Sequence, residues 1–127
     1  MNFQDFLKWG GIALIGVGIL GVILPGGKLI GNNWYFTSAE NWGHLIAGSI
    51  LLFVWHFDSS ALNRKTIFAT IAVAFYFVLA GFLVRDLASP NYYNVANFEY
   101  PWDELLHLVF VIWPIWIIWR EKRRAQF

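Results

Sequence analysis

Four apolar runs separated by short polar segments organise this chain. The first covers about Trp9–Leu24 and stops at Pro25-Gly26-Gly27. The second covers about Trp42–Phe57, and the third about Ile67–Val84, ended by Arg85-Asp86. The fourth covers about Leu105–Trp119, ended by Arg120. None carries a polar stripe at helical spacing, so each predicts a helix surrounded by lipid rather than lying on a wet surface. Backbone exposed to lipid must satisfy its own hydrogen bonds, which makes helices the economical assignment. The cores fall short of the roughly 20 residues that cross a bilayer. Flanking Phe6-Leu7, Ala39 and Pro101-Trp102 lengthen them. The expected fold is all-α: one domain, residues 1–127, with four transmembrane helices.

Composition supports lipid as the solvent. The chain is 58% hydrophobic and 13% charged, about half the charge of a soluble domain. A chain this short has little interior in which to hide so much apolar surface. A net charge of +1 gives no electrostatic case for nucleic acid. With no Cys, disulfides, zinc-thiolate sites, iron-sulfur ligation and thiol catalysis are excluded. The first run is preceded by one Lys and one Asp and lacks a small-x-small site after it. It reads as a permanent span rather than a cleaved signal peptide.

Basic residues set the expected orientation. Lys8, Arg64, Lys65, Arg120, Lys122, Arg123 and Arg124 fall on one side, Lys28 and Arg85 on the other. The positive-inside rule then puts both termini and the middle loop, Asp58 to Thr66, in the cytoplasm. Trp42 and Trp102 mark outer span ends, and Trp9, Trp55 and Trp119 inner ones, as an interfacial belt requires. The outer loops, Pro25 to Ser38 and Arg85 to Tyr100, are rich in Asn, Gly and aromatics, including Asn32-Asn33-Trp34-Tyr35-Phe36 and Asn91-Tyr92-Tyr93-Asn94. Such loops form either an interfacial cap or a lid over the bundle mouth.

Spans two and four open alike, with Glu40-Asn41-Trp42-Gly43-His44-Leu45 and Asp103-Glu104-Leu105-Leu106-His107-Leu108. Each half therefore reads as span, aromatic outer loop, then a span opening acid-x-x-x-His. Both halves start inside, which implies two parallel-oriented helical-hairpin repeats about an axis along the membrane normal. Small residues let helix backbones approach in a membrane. Gly11 and Gly18 of span one are expected to meet Gly43 and Ala47 of span two, and Pro114 to kink span four.

Thr37 with Glu40 fits a capping box, and Pro101 at the first helical position would put Asp103 at the third. Acids there are favoured by the helix dipole, which is a structural account of Glu40, Asp103 and Glu104. The i,i+4 spacing places His44 beside Glu40 and His107 beside Asp103 on one helix face. His44 and His107 are expected to face the bundle interior at one depth, as hydrogen-bonded packing residues or as a shared polar cluster with Glu40, Asp103 and Glu104. Two imidazoles and three carboxylates are also a donor set for a transition metal, and Glu104-x-x-His107 has the i,i+3 spacing of carboxylate-bridged metal bundles. Axial haem ligation by His44 and His107 is a further reading on residue type. His56, beside Trp55, reads as interfacial. No Asp, Glu, Lys or Arg lies within a span. A proton-coupled transporter needs a carboxylate near the midplane, so that class, the small multidrug transporters included, is disfavoured. Ser49 lies deep in a span with no assigned base, and serine-triad catalysis has no support.

Gly16-Val17-Gly18-Ile19-Leu20-Gly21-Val22-Ile23-Leu24-Pro25, followed by Asn41, His44, Leu45 and Gly48, then Asp103, Leu106 and His107, resembles a family of four-span prokaryotic membrane proteins of unknown function. Its marks are a Gly-rich first span ending near Pro, N-x-x-H-L-x-x-G in span two and D-x-x-L-H in span four. The resemblance covers nearly the whole chain and implies the four-helix bundle and the importance of both His signatures; the family carries no activity.

The expected role is that of a small accessory or assembly protein of the cell membrane, a subunit of a larger complex, with lipid and other membrane subunits as partners and without a cofactor. Two alternatives stand beside it: a metal- or haem-binding redox protein, and a binder of quinone or another lipophilic ligand that uses the aromatic loops as a lid.

Overall fold

The computed structural model describes residues 2–28, 34–57, 59–88 and 90–124. Asn32, Asn33 and Asp58, named above in the loops, lie outside the described residues. Four helices follow in order: α1 Phe3–Ile23, α2 Ser38–Phe57, α3 Ser60–Val84 and α4 Trp102–Arg124. Among the described residues there is no strand, only two isolated antiparallel bridges, Lys28 with Tyr35 before α2 and Tyr92 with Ala96 before α4.

Local sequence explains the boundaries. Asn2 caps α1, its side chain accepting from the Asp5 N–H at 2.9 Å while Asp5 accepts from the Asn2 N–H at 2.7 Å. Pro25 ends α1 and opens a short 3-10 turn, Pro25–Gly27. The middle loop is much shorter than expected. Ser59 caps α3, accepting from the Leu62 N–H, and the stretch through Arg64 and Lys65 contains no Gly or Pro to break a helix, so it joins α3. α4 starts at Trp102, which places Asp103 at the second helical position rather than the third. α4 continues through Pro114, which is fully buried.

Three helices, α1, α3 and α4, are long and apolar enough to cross a membrane. α2 falls outside that group because Glu40, Asn41 and His44 occupy its first turns and His56 its end. The outward surface is apolar, with Val22, Ile23, Phe53 and Leu83 exposed, far more than a water-soluble monomer leaves bare. This is the surface of a membrane protein.

α1 packs chiefly on α2, and α3 on α4. The α1–α2 seam is close enough that a Cβ at Gly11 would lie 3.0 Å from the Gly48 carbonyl oxygen, and one at Gly18 would lie 2.9 Å from that of Asn41. The expected partners on α2 are corrected. A Cβ at Gly43 would meet nothing within 4 Å, and Gly43 and Ala47 are both exposed. They lie on the opposite face of α2, and Gly48, Asn41 and Leu45 fill the seam instead. Near the start of α2 and α4, the Asn41 side chain fills the space over Gly21, and the Glu104 side chain the space over Gly81. The apolar core gathers Phe6, Leu7, Leu51, Val54, Ile67, Phe110 and Ile117, with Trp113 edge-on to Phe6 at 5.0 Å.

Candidate functional site: a cavity under an aromatic roof

A cavity of about 700 Å³ opens between α2 and α3. Its walls are mostly small or apolar: Gly43, Ala47 and Ile50 of α2, and Ala69, Val73 and Ala74 of α3. Its back is core, with Leu14, Leu51 and Phe110, all buried. The α3 wall from Thr66 to Phe77 spans about 16 Å at 1.5 Å per residue. Small side chains on the facing walls leave this volume unfilled where bulk fills the core.

The loop between α3 and α4 roofs the cavity with Tyr92, Tyr93, Val95, Ala96 and Phe98. Asn91 closes this loop on itself: its amide nitrogen donates to the Phe98 carbonyl at 3.0 Å, and its amide oxygen accepts from the Phe98 N–H at 2.8 Å. Tyr93 and Asn94 turn the chain with φ of +50° and +56°. A bulky residue in that region costs on the order of 1 kcal/mol or more, and here it holds Tyr93 at the cavity lip. The roof is tied to α3 by a Tyr76–Tyr92 hydroxyl hydrogen bond of 2.7 Å and by Phe98 packing on Phe77, centroids 5.8 Å apart.

Beneath the roof, His44 and His107 come together. Their rings are nearly parallel, with centroids 6.4 Å apart, and both line the cavity. Phe77 and Phe98 flank His107 at 5.1 and 6.2 Å, and Phe36 meets His44 edge-on at 5.2 Å. Of the expected hydrogen-bonding partners, His107 finds the backbone carbonyl of its own acid. His107 Nδ1 lies 2.7 Å from the backbone carbonyl of Asp103; a carbonyl only accepts, so Nδ1 carries the proton. His44 Nδ1 is buried without a hydrogen-bond partner among the described residues.

The acid side chains hold the loops, and they do so crosswise. Glu40, on α2, accepts from the N–H of Thr37 at the end of the first loop, the reverse arm of the capping box, and from the Asn97 N–H of the second loop. Asp103, on α4, accepts from the Glu99 N–H of the second loop at 2.6 Å and from Trp34 Nε1 of the first loop at 2.9 Å. Glu99 completes the lattice by accepting from the Tyr35 N–H. Carboxylates placed this way satisfy backbone N–H groups that would otherwise lack a partner. Burial, joined by the nearby Asp103 carboxylate, raises Glu99 to about 7. Glu104 is turned away from this lattice toward Gly81, with both oxygens buried and unpartnered among the described residues.

Among the described residues, no three His, Asp or Glu groups are placed to hold a metal ion. His56 lies in the last turn of α2, edge-on to Phe57, and is not among the cavity-lining residues. Sequence reasoning missed Trp34, Asn97, Phe98 and Glu99. Only the aromatic and Asn richness of the loops pointed their way, because partners this far apart in the chain leave no spacing signal. Comparison of the chain with protein-family models, with characterised proteins and with solved structures finds no match.

Proposed function

We propose that this protein is a four-span membrane protein that binds a lipophilic ligand with a polar head, a quinone-type molecule, in the cavity between α2 and α3. The observation that carries the reading is the cavity itself. Its volume of about 700 Å³ falls in the range of small-molecule sites, roughly 300–1,000 Å³, and it combines an apolar lining with a few convergent polar groups. His44 and His107 would receive the head under the aromatic roof, and the tail would run down α3 toward Thr66. Exposed Gly43 and Ala47 leave the side of the cavity open toward lipid, so the ligand would enter from the bilayer.

In the same reading α2 spans the membrane with the other three helices, its polar first turns forming the outer mouth. Both termini face the cytoplasm, in accord with the basic residues. The two hairpins are parallel repeats. Supporting this, the buried positions of α2, Asn41, Gly48, Leu51 and Val54, correspond at one constant offset to Glu104, Val111, Pro114 and Ile117 of α4, all buried. The four-span family that the sequence resembles remains the proposed kinship. A subunit role in a larger complex is compatible with ligand binding; the cavity favours the binder.

The test is photolabelling in native membranes with a diazirine-bearing decyl-benzoquinone. The expected labelled peptides carry the Gly43–Leu51 and Thr66–Phe77 walls. Labelling should be lost with excess unlabelled decyl-benzoquinone and in Ala47→Phe. Labelling confined to outward residues such as Leu83 would reject the reading.

A further inference from the structure

We propose that the cavity selects a head bearing ring hydroxyls, of the hydroquinone type, over the oxidised carbonyl form and over anionic phospholipids. The inference rests on the binder reading above and adds the chemistry of the head. His107 decides it. Because its Nδ1 donates to the Asp103 carbonyl at 2.7 Å, the Nε2 of the neutral ring is a lone-pair acceptor, and His107 lines the cavity. A phenolic hydroxyl carries a proton that it can donate to His107 Nε2. A quinone oxygen only accepts and would face the His107 lone pair unmatched.

Two further observations narrow the class. Phe77 and Phe98, which pack on His107 with centroids at 5.1 and 6.2 Å, also line the cavity, so aromatic surface lies beside the imidazole for a planar head. Among the described residues the lining contains Glu40 and Asp103 but neither Lys nor Arg. A phosphate head would meet carboxyl groups with no cation to offset the repulsion, in an environment that screens charge poorly. The acids themselves are engaged in holding the loops, which leaves the imidazole pair as the recognition element.

The experiment is anaerobic equilibrium binding to the purified full chain in detergent micelles. Three probes are compared: decyl-benzoquinol, decyl-benzoquinone and a short-chain phosphatidylglycerol. Wild type should prefer the quinol by about tenfold, the scale of one unmatched buried polar group, and should bind phosphatidylglycerol more weakly than either. In His107→Phe, which retains a flat ring and loses the acceptor, the quinol and quinone should bind equally, with thermal unfolding checking that the variant is folded. The wild-type ratio stands without the variant. Equal binding of quinol and quinone to wild type, or tighter quinone binding, would overturn the inference and leave the binder reading intact. Phosphatidylglycerol binding as tightly as the quinol would overturn the charge argument. Binding of none of the three would overturn both the inference and the binder reading.

Discussion

Gly48→Ala and Gly43→Ala, five positions apart on α2, should have opposite consequences. A methyl at Gly48 would lie 2.7 Å from the Gly11 carbonyl oxygen and 2.9 Å from the Ile15 backbone nitrogen. Neither is a flexible tip that can swing aside, so α1 and α2 must move apart. At Gly43 nothing lies within 4 Å of the added carbon. Both changes gain the same helix-propensity difference of about 1 kcal/mol between Ala and Gly, so that contribution cancels when the variants are compared. What remains is the overpacking cost, about 1–3 kcal/mol, borne by Gly48→Ala alone. Unfolding in mixed micelles by denaturant titration reads the difference directly. Gly43→Ala should match or exceed wild type, and Gly48→Ala should fall below it. Equal stability of the two variants, or greater loss in Gly43→Ala, would refute the assignment of α2 faces on which the cavity depends.

The loop lattice and the cavity yield the other expectations. Glu40→Gln replaces one acceptor oxygen by an N–H donor, so the N–H of Thr37 or Asn97 loses its partner at about 1–3 kcal/mol; hydrogen exchange at Asn97 should speed up, and unchanged exchange would remove Glu40 from the lattice. Glu99 is raised from 4.5 to about 7, so the folded protein holds a proton there that the unfolded chain releases. Its contribution to stability is therefore full below about pH 4.5 and is lost as pH rises through about 7. Melting temperature should fall across that window, and the Glu99→Gln variant should flatten the fall; a rise with pH attributable to Glu99 would contradict this. Gly43→Leu should leave melting nearly unchanged, because the added side chain enters open space, while reducing decyl-benzoquinol binding; a large loss of stability would return Gly43 to the helix seam.

The helices were legible because lipid imposes a simple rule on composition: apolar runs mark each helix, with α1 and α3 ending just before Pro25 and Arg85-Asp86, while α4 runs past Arg120 to Arg124. The start of α3 was not legible from hydropathy, since Asn63, Arg64 and Lys65 are polar yet continue the helix behind the Ser59 cap. Hydropathy reports environment, whereas a helix end depends on caps and breakers. Gly11 and Gly18 were correctly placed at a helix seam, but Gly43 was not. A small residue signals close approach or open space equally well, and only the facing helix distinguishes the two.

The His signatures were legible as positions, but the partner of each ring was not. The i,i+4 rule places Glu40 near His44 and Asp103 near His107, and both acids accept from N–H groups that the loops bring to the helix mouth. Asn97, Glu99 and Trp34 became visible only when the loops folded over the mouth. The cavity was likewise hidden, because it is made by what α2 and α3 lack on facing surfaces rather than by a motif.

The most direct test of the central claim is native mass spectrometry of the full chain released from micelles with decyl-benzoquinol present. A saturable one-to-one adduct is expected for wild type, and no adduct for Ala47→Phe at unchanged melting temperature. Adducts of graded, unsaturable stoichiometry that are the same in both proteins would mean that the molecule only coats the apolar exterior, and the account of a ligand cavity would be wrong.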